Sequence, residues 1–203
     1  MKLCMIGTGY VGLVSGVCFS DLGNKVYCVD KNKKKIDNLI KGQIPIYEPG
    51  LEEILKRNYK KKRLIFTTNL EEAVKNSDII FICVGTPTKK NSNSANLKYV
   101  YDVAYKLKKI IKRYKIIVTK STVPISTGDK IEKILKNLSN KNFVDIVSNP
   151  EFLREGEAIR DFLYPDRVVI GTNSNRANKT LKSLYLPIIK KNSRYFKTSR
   201  RGA

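Results

Sequence analysis

The chain has 203 residues, of which 41% are hydrophobic, so it can bury a core in one large domain or in one domain and part of a second. No run of about 18 apolar residues occurs, which argues against a membrane-spanning helix. The short apolar run at the N-terminus favours a buried strand over a signal peptide. We therefore expect a cytoplasmic protein with no membrane partner.

The formal charge of +22 makes nucleic acid a candidate partner, because basic chains bind phosphate backbones. The basic residues, however, are spread along the chain in short groups, such as residues 33–35 and 60–63, and aromatic residues do not interleave with them. We therefore predict a solvated basic surface and no specific nucleic acid partner. A steep loss of affinity with salt would indicate the opposite.

The four cysteines, Cys4, Cys18, Cys28 and Cys83, all lie within apolar segments. They form no CxxC pair, and the chain contains no His that could complete a metal site. The pattern predicts small buried side chains in a reducing compartment, no metal site, and no cysteine that acts as a nucleophile.

Short apolar runs alternate with amphipathic stretches along most of the chain. In chain order the pattern predicts a strand at 2–6, a helix ending at Leu22, a strand at 25–29, helices at 33–40 and 51–58, a strand at 64–67, a helix at 70–76, a strand at 78–84, a helix at 99–113, a strand at 116–119, a helix at 128–138, and strands at 144–147 and 167–170. Residues 193–203 are basic and show no packing pattern. The alternation predicts an α/β fold, a Rossmann-like doubly wound, mostly parallel sheet with helices on both faces.

A glycine-rich turn, GTGYVG at residues 7–12, follows the first strand and opens the first helix. In this context the pattern is typical of dinucleotide binding. Gly7 would allow the tight turn, Gly9 would let the backbone approach a pyrophosphate, and Gly12 would let the helix pack closely on the strand. A glycine-rich turn that binds no nucleotide is the alternative interpretation.

Asp30 ends the second predicted strand, eighteen residues after Gly12. A carboxylate there can accept hydrogen bonds from the adenosine ribose and would repel a 2′-phosphate, which favours NAD over NADP. The nearby Lys31 and Lys33 weaken this preference.

Several further motifs stand in one order over nearly the whole chain. They are GTGYVGLVSG (7–16), PIYEPGL (45–51), VGTP (84–87), KSTVP (120–124), SNPEFLREG (148–156) and DFLYPDR (161–167). Together they resemble the UDP-glucose/GDP-mannose dehydrogenase family, and the UDP-glucose branch fits best. The resemblance implies a twofold, NAD-dependent oxidation of UDP-glucose to UDP-glucuronate through a covalent cysteine intermediate. It also implies a homodimer for the full-length enzyme.

The resemblance implies roles for individual residues. Those that would meet NAD are Gly7, Gly9, Val11, Gly12, Asp30, Lys35, Thr86, Thr122 and Glu155. Those that would meet the substrate are Glu151, Phe152, Leu153, Arg154 and Glu155, with Glu151 and Thr122 acting in catalysis. The residues themselves favour acid–base work for Glu151 and water orientation for Thr122. They also permit helix capping by Glu151 and Glu155, and a turn-forming role for Thr122.

Other parts of the family's active site have no counterpart in this sequence. Its catalytic cysteine lies in a later glycine-rich motif followed by Phe-Pro-Lys-Asp, and its Lys and Asn lie on a central helix that would begin at about residues 200–203. We therefore expect residues 1–203 to be an NAD-binding Rossmann domain without the central helix and the C-terminal UDP-binding domain, inactive alone and with exposed apolar surface. A non-catalytic nucleotide-binding remnant, or a dehydrogenase of UDP-N-acetylmannosamine or GDP-mannose, are the alternatives.

Overall fold

A computed structural model describes residues 1–88, 94–121, 123–136, 144–191 and 193–203. Within these residues one sheet is covered by helices. The strands are β1 (Lys2–Ile6), β2 (Lys25–Val29), β3 (Leu64–Thr67), β4 (Ile79–Ile82), β5 (Lys115–Thr119), β6 (Val144–Ser148), β7 (Arg167–Gly171) and β8 (Arg194–Thr198). The helices are α1 (Tyr10–Asp21), α2 (Lys33–Ile40), α3 (Leu51–Lys60), α4 (Leu70–Lys75), α5 (Lys98–Ile110), α6 (Thr127–Lys136), α7 (Ala158–Leu163) and α8 (Asn175–Ile189).

The sheet has the strand order β3-β2-β1-β4-β5-β6-β7-β8. Strands β1 to β6 are parallel, β7 pairs antiparallel with β6 through Ser148 and Gly171, and β8 is parallel to β7. The first six strands have the order of a Rossmann fold, so the predicted fold class is confirmed. The order reverses direction between β1 and β4, and open α/β sheets bind ligands beyond the carboxyl ends of strands at such a point.

Strand β1 shows how the sheet forms two cores. Its side chains alternate between the faces, so Leu3 and Met5 pack in one buried cluster while Cys4 and Ile6 pack in the other. Helix α1 lies on the first face and is buried along most of its length. Helix α5 contributes its apolar side to the second cluster. Because the central strands are buried on both faces, they are continuous apolar runs in the sequence.

Three elements were not predicted, namely α7, α8 and β8. The expectation of no packing pattern in residues 193–203 is wrong, because β8 pairs with β7 along its full length. Beyond β8, the Arg200 guanidinium pairs with the carboxylates of Asp129 and Glu132. Strand β8 lies at an edge and buries few side chains, so its sequence lacks the apolar run that identified the central strands.

The predicted helix at 99–113 ends earlier than expected. The structure ends α5 at Ile110, and the next residue, Ile111, adopts an extended backbone while staying buried in the core. Its apolar side chain fits the helical spacing of apolar residues in the sequence, which is why the helix was predicted to extend past Ile110. Helix α6 is described as far as Lys136, and residues 137 and 138 lie outside the described part of the chain.

The four cysteines are free and buried, as predicted. Burial raises the pKa of each thiol, that of Cys83 to about 12. Among the described residues, no group of three His, Cys, Asp or Glu side chains could hold a metal ion. No helix in the described ranges is long and apolar enough to cross a membrane.

Candidate functional site

The glycine-rich turn between β1 and α1 requires glycine at two positions. Gly7 has a φ of +101°, and a Cβ there would lie 2.8 Å from the carbonyl oxygen of Cys83. A Cβ on Gly12 would lie 1.9 Å from the carbonyl oxygen of Gly7, so the start of α1 packs directly on the turn. A Cβ on Gly9 would meet no atom within 4 Å. Gly9 therefore borders open space in front of the helix.

Helix α1 begins at Tyr10, with Val11 half-buried in its first turn. Its N-cap residue is Gly9, which has no side chain to bond the first N–H groups of the helix. Such N–H groups carry partial positive charge and are suited to a phosphate group. The turn thus offers an anion site that opens to the space beside Gly9.

Asp30 is hydrogen-bonded to the glycine-rich turn. Its Oδ2 atom accepts from the Thr8 backbone N–H at 3.1 Å and from the Thr8 hydroxyl at 2.8 Å. The Lys35 ammonium lies 3.3 Å from the same oxygen, and Oδ1 accepts from the Asn32 N–H at 3.0 Å. The structure therefore brings Asp30, Lys35 and the turn together.

These contacts keep Asp30 ionised. Burial alone would raise the pKa of its carboxyl group, but the hydrogen bonds from Asn32 and Thr8 and the charge of Lys35 outweigh burial and lower the pKa below its ordinary value. The other two lysines near Asp30 are engaged elsewhere. Lys33 pairs with Asp37 at 2.7 Å, and the Lys31 ammonium lies 5.1 Å from the centroid of the Tyr99 ring.

The segments that follow β4 and β5 lie at the same end of the sheet, since the two strands are parallel. Thr86 is half-buried in the first segment. Thr122, expected in the second, lies outside the described residues. Lys120 follows β5 directly, donates its backbone N–H to the Ile82 carbonyl at 3.1 Å, and is only 4% exposed.

The segment that follows β6 carries the predicted substrate residues. Glu151 is half-buried, and its Oε2 accepts from the Leu153 backbone N–H at 2.7 Å. Phe152 is 53% exposed, with the Arg167 guanidinium 4.9 Å from its ring centroid, whereas Leu153 packs against the core. Glu151 and Phe152 therefore lie at the surface of the segment, and Leu153 anchors it.

Arg154 and Glu155 differ in their contacts. The Arg154 guanidinium binds both carboxylate oxygens of Asp161, at 3.1 and 2.8 Å, and Glu155 is exposed. Neither Glu151 nor Glu155 is the N-cap residue of α7, which is Glu157 and makes no side-chain cap hydrogen bond. The capping alternative for the two glutamates thus has no support in the described contacts.

Residues 154–156 reach the glycine-rich turn through Tyr10. The Tyr10 hydroxyl accepts from the Gly156 backbone N–H at 2.9 Å, lies 3.4 Å from the Arg154 carbonyl oxygen, and donates to Glu48. The segment after β6 and the first residue of α1 are therefore in direct contact. This contact places the two halves of the predicted site side by side.

A cavity of about 570 Å³ opens between the segment after β6 and helix α7. Lys120, Asn149, Glu151, Phe162 and Tyr185 are among its lining residues. Asn149 is fixed from both sides, because its Oδ1 accepts from the Tyr185 hydroxyl at 2.5 Å and its amide donates to the Val169 carbonyl at 3.0 Å. The cavity thus combines a carboxylate, an amide and a cation.

The charge of Lys120 is the unusual property of this cavity. Burial lowers the pKa of its ammonium group, an effect that the neighbouring Cys83 and Glu151 oppose without cancelling. The ammonium lies 5.9 Å from the centroid of the Phe162 ring.

The sequence did not single out Thr8, Glu48 or Lys120 as site residues. All three stand inside the motifs noted above, but nothing in their spacing distinguished a buried polar side chain from an exposed one. Burial and the partners of each side chain come from the fold.

The chain is similar to known proteins over nearly its whole length. The family model described as "UDP-glucose/GDP-mannose dehydrogenase family, NAD binding domain" matches residues 1–189. A UDP-glucose 6-dehydrogenase of Rhizobium meliloti (strain 1021) is 49% identical over 203 residues, covering 99% of this chain and 46% of its own length. A second, from Pseudomonas aeruginosa, is 43% identical over 207 residues, covering 100% of this chain and 46% of its own length. The chain thus spans less than half the length of these curated relatives.

Solved structures of dehydrogenases superpose closely on this chain. A ternary complex of GDP-mannose dehydrogenase from Pseudomonas aeruginosa superposes with a TM-score of 0.93 at 33% identity, covering 100% of this chain and 47% of that chain. A UDP-glucose dehydrogenase from Pyrobaculum islandicum gives a TM-score of 0.92 at 38% identity, covering 98% of this chain and 46% of that chain.

Proposed function

Because the chain belongs to the UDP-glucose/GDP-mannose dehydrogenase family, whose NAD-binding domain matches residues 1–189, we propose that it binds NAD at the glycine-rich turn and Asp30. The observation that carries this proposal is the hydrogen-bonded unit of Thr8, Asp30 and Lys35 beside a turn with open space at Gly9. NAD, when bound, accepts the hydride removed from an alcohol. The chain's own residues bind and orient it.

The residues present fit the pyrophosphate and the ribose of the adenosine diphosphate part of NAD. The uncapped N-terminus of α1 and the open space at Gly9 suit a pyrophosphate. Asp30 uses Oδ2 for Thr8 and Lys35, whereas its Oδ1 accepts only from Asn32 among the contacts found in the described ranges. Since a carboxylate oxygen has about two acceptor sites, Oδ1 retains capacity for a ribose hydroxyl.

The preference for NAD over NADP follows from charge. Asp30 is ionised and would repel a 2′-phosphate. Lys33 is paired with Asp37, and the Lys31 ammonium lies over the Tyr99 ring. Both lysines therefore contact groups other than Asp30 and do not neutralise its charge. Lys35 pairs with Asp30 itself, which reduces its availability for a second anion.

For the complete protein we propose the twofold oxidation of UDP-glucose to UDP-glucuronate. Its support is the identity of 43–49% to UDP-glucose 6-dehydrogenases and, among solved structures, of 38% to a UDP-glucose dehydrogenase against 33% to a GDP-mannose dehydrogenase. Glu151 would handle a proton or water beside the cavity, and Phe152, Leu153, Arg154 and Glu155 would lie along the substrate. Thr122, although outside the described residues, keeps its proposed role of orienting water, and Thr86 and Val11 keep theirs beside the cofactor.

We propose that residues 1–203 alone oxidise no UDP-glucose. A nucleophilic cysteine needs a lowered pKa and access to its substrate, whereas all four thiols here are buried and their pKa values are raised. Incubation of the purified chain with UDP-glucose and NAD should yield no NADH. Sustained NADH formation that depends on both substrates would contradict this part of the proposal.

The experiment that tests the cofactor proposal is a thermal melt with NAD, with NADP and without either. NAD at a hundred times its dissociation constant should stabilise the folded chain by about 2.7 kcal/mol, and NADP at the same concentration by clearly less. A cooperative melt that neither nucleotide shifts would leave a remnant without cofactor binding as the better interpretation. Equal shifts would contradict the role of Asp30 in selecting NAD.

A further inference from the structure

Glu48 is a buried carboxylate in the loop between α2 and α3. It is only 5% exposed, although the residues on either side of it, Tyr47 and Pro49, are exposed. A carboxylate is costly to remove from water unless hydrogen bonds replace its hydration. The neighbouring residues of the loop do not account for this burial, so the groups that stabilise the carboxylate must come from elsewhere in the chain.

Three donors compensate for the burial of Glu48. Its Oε2 accepts from the Gly156 backbone N–H at 3.0 Å and from the Tyr10 hydroxyl, and its Oε1 accepts from the Ile159 backbone N–H at 3.1 Å. Glu48 is the acceptor in every one of these bonds, as an ionised carboxylate would be. Gly156 and Ile159 follow it in the chain by 108 and 111 positions, so the contacts are entirely tertiary.

Two of these donors belong to the start of α7. Ile159 is the second residue of this helix, and its N–H is one of the groups that a helix cannot satisfy internally. The N-cap residue, Glu157, makes no side-chain cap hydrogen bond. Glu48 thus caps α7 from a distant part of the chain and fixes where the segment after β6 ends.

The third donor belongs to the start of α1. Burial, and next the hydrogen bond to Glu48, raise the pKa of the Tyr10 hydroxyl to about 12, so it remains a protonated donor at neutral pH. The same hydroxyl accepts from Gly156 at 2.9 Å. Glu48 and Tyr10 therefore share Gly156 between them, one from the loop and one from the helix that follows the glycine-rich turn.

We propose that Glu48 is a positioning residue whose buried carboxylate, together with the Tyr10 hydroxyl, holds residues 154–159 against the first turn of α1. The segment that carries Glu151 and Glu155 is thereby fixed beside the glycine-rich turn before any ligand binds. The consequence for NAD affinity rests on the proposed function, since a segment free to move would lose part of its contact with a cofactor on the turn. The holding of the segment itself does not depend on NAD.

The first test measures amide hydrogen exchange in the full chain without ligand. Glu48→Ala should speed exchange at Gly156 and Ile159 by about tenfold or more, while amides of β1 and β4 keep their rates. Glu48→Gln, which retains a carbonyl acceptor, should restore part of the protection. Glu53→Ala removes an exposed carboxylate from α3 and serves as the matched control with no change. Unchanged exchange at both amides in Glu48→Ala would overturn the proposal.

A second variant keeps the test decisive if Glu48→Ala does not fold. Tyr10→Phe removes the hydroxyl but leaves the Glu48–Ile159 bond, so exchange should rise more at Gly156 than at Ile159. An equal rise at both amides, or none, would contradict the division of roles between the two side chains.

The second measurement is the NAD dissociation constant of the same variants at a temperature where all are folded. It should rise by about tenfold in Glu48→Ala, recover partly in Glu48→Gln, and stay unchanged in Glu53→Ala. Faster exchange with an unchanged dissociation constant would overturn the link to the cofactor. A wild-type chain that binds no NAD would refute the proposed function, and the exchange rates would still decide whether Glu48 holds the segment.

Discussion

Asp30 and Thr8 are joined by two hydrogen bonds, because the backbone N–H and the hydroxyl of Thr8 both donate to the Asp30 Oδ2, at 3.1 and 2.8 Å. Thr8 is fully buried and lies inside the glycine-rich turn, whereas Asp30 directly follows the neighbouring strand β2. The turn therefore orients the acidic side chain as well as offering its own N–H groups. Five substitutions test this arrangement and its surroundings.

Thr8→Val should lower the free energy of unfolding by about 1–2 kcal/mol near pH 7, because it removes a hydrogen bond to a charged acceptor with little change in shape. Asp30 has a lowered pKa in the folded chain, so its contribution is present above the ordinary carboxyl pKa and is lost as the pH falls through the folded value. The difference from wild type should therefore shrink in acid. Urea unfolding over a pH series measures it, with Thr180→Val on α8 as control. A difference that stays constant into acid would contradict the argument.

Gly9→Ala and Gly12→Ala should separate binding from folding. The methyl group of Gly9→Ala enters open space, so stability should change by less than about 0.5 kcal/mol, while NAD affinity falls by about tenfold or more. Gly12→Ala would place its methyl 1.9 Å from a backbone oxygen and should cost about 3 kcal/mol or more. Calorimetric titration and chemical unfolding of both variants measure this. Unimpaired NAD binding by Gly9→Ala would show that the cofactor does not approach the turn there.

Asp30→Asn should reduce the discrimination between NAD and NADP. The substitution removes the negative charge that repels a 2′-phosphate, so the ratio of the two dissociation constants should move towards one, by about tenfold if a single screened charge contact sets it. Titration of both nucleotides measures the ratio. Glu53→Gln, which removes an exposed carboxylate from helix α3 and frees no lysine beside Asp30, should leave the ratio unchanged. An equal ratio in wild type and Asp30→Asn would be inconsistent with this role.

Lys120→Met should stabilise the chain near neutral pH, by about 1 kcal/mol or more. Because the pKa of Lys120 is lowered in the folded state, the unfolded chain binds more protons between that pKa and the ordinary lysine value, and stability rises with pH in this window. The gain of the variant should thus be largest below the folded pKa and disappear towards about pH 10.4. Unfolding curves at several pH values measure it, with exposed Lys179→Met as control. A gain that does not depend on pH would point to packing alone.

The sequence predicted the parts of the fold that have a local signature. Strands such as β1 and β4 are apolar on both faces. In the turn at residues 7–12, Gly7 has a positive φ and Gly12 packs on Gly7 within the same βα unit. Asp30 was identified for the same reason, since it directly follows the next strand, β2. Each of these features can be identified within about thirty residues, the length of one βαβ unit.

The remaining features depend on contacts between distant parts of the chain. Glu48 contacts Gly156, which lies 108 positions later in the chain, and Lys120 lines one cavity with Phe162 of α7 and Tyr185 of α8. In the sequence both are ordinary charged residues within loops. Strand β8 was missed for a related reason. None of its residues is buried, so its sequence has no apolar pattern, and it is a strand because it pairs with β7.

The four buried thiols give the chain a set of internal probes. Alkylating reagents react with the thiolate form of cysteine. Burial raises the pKa of these thiols and blocks access to them, so each can react only when the structure around it opens. Cys4 and Cys28 lie in neighbouring strands but on opposite faces of the sheet, and Cys18 of helix α1 lies on the same face as Cys28. Cys83 lies behind the glycine-rich turn. The order in which a reagent modifies these positions under native conditions would therefore show which part of residues 4–83 opens first, without any engineered cysteine.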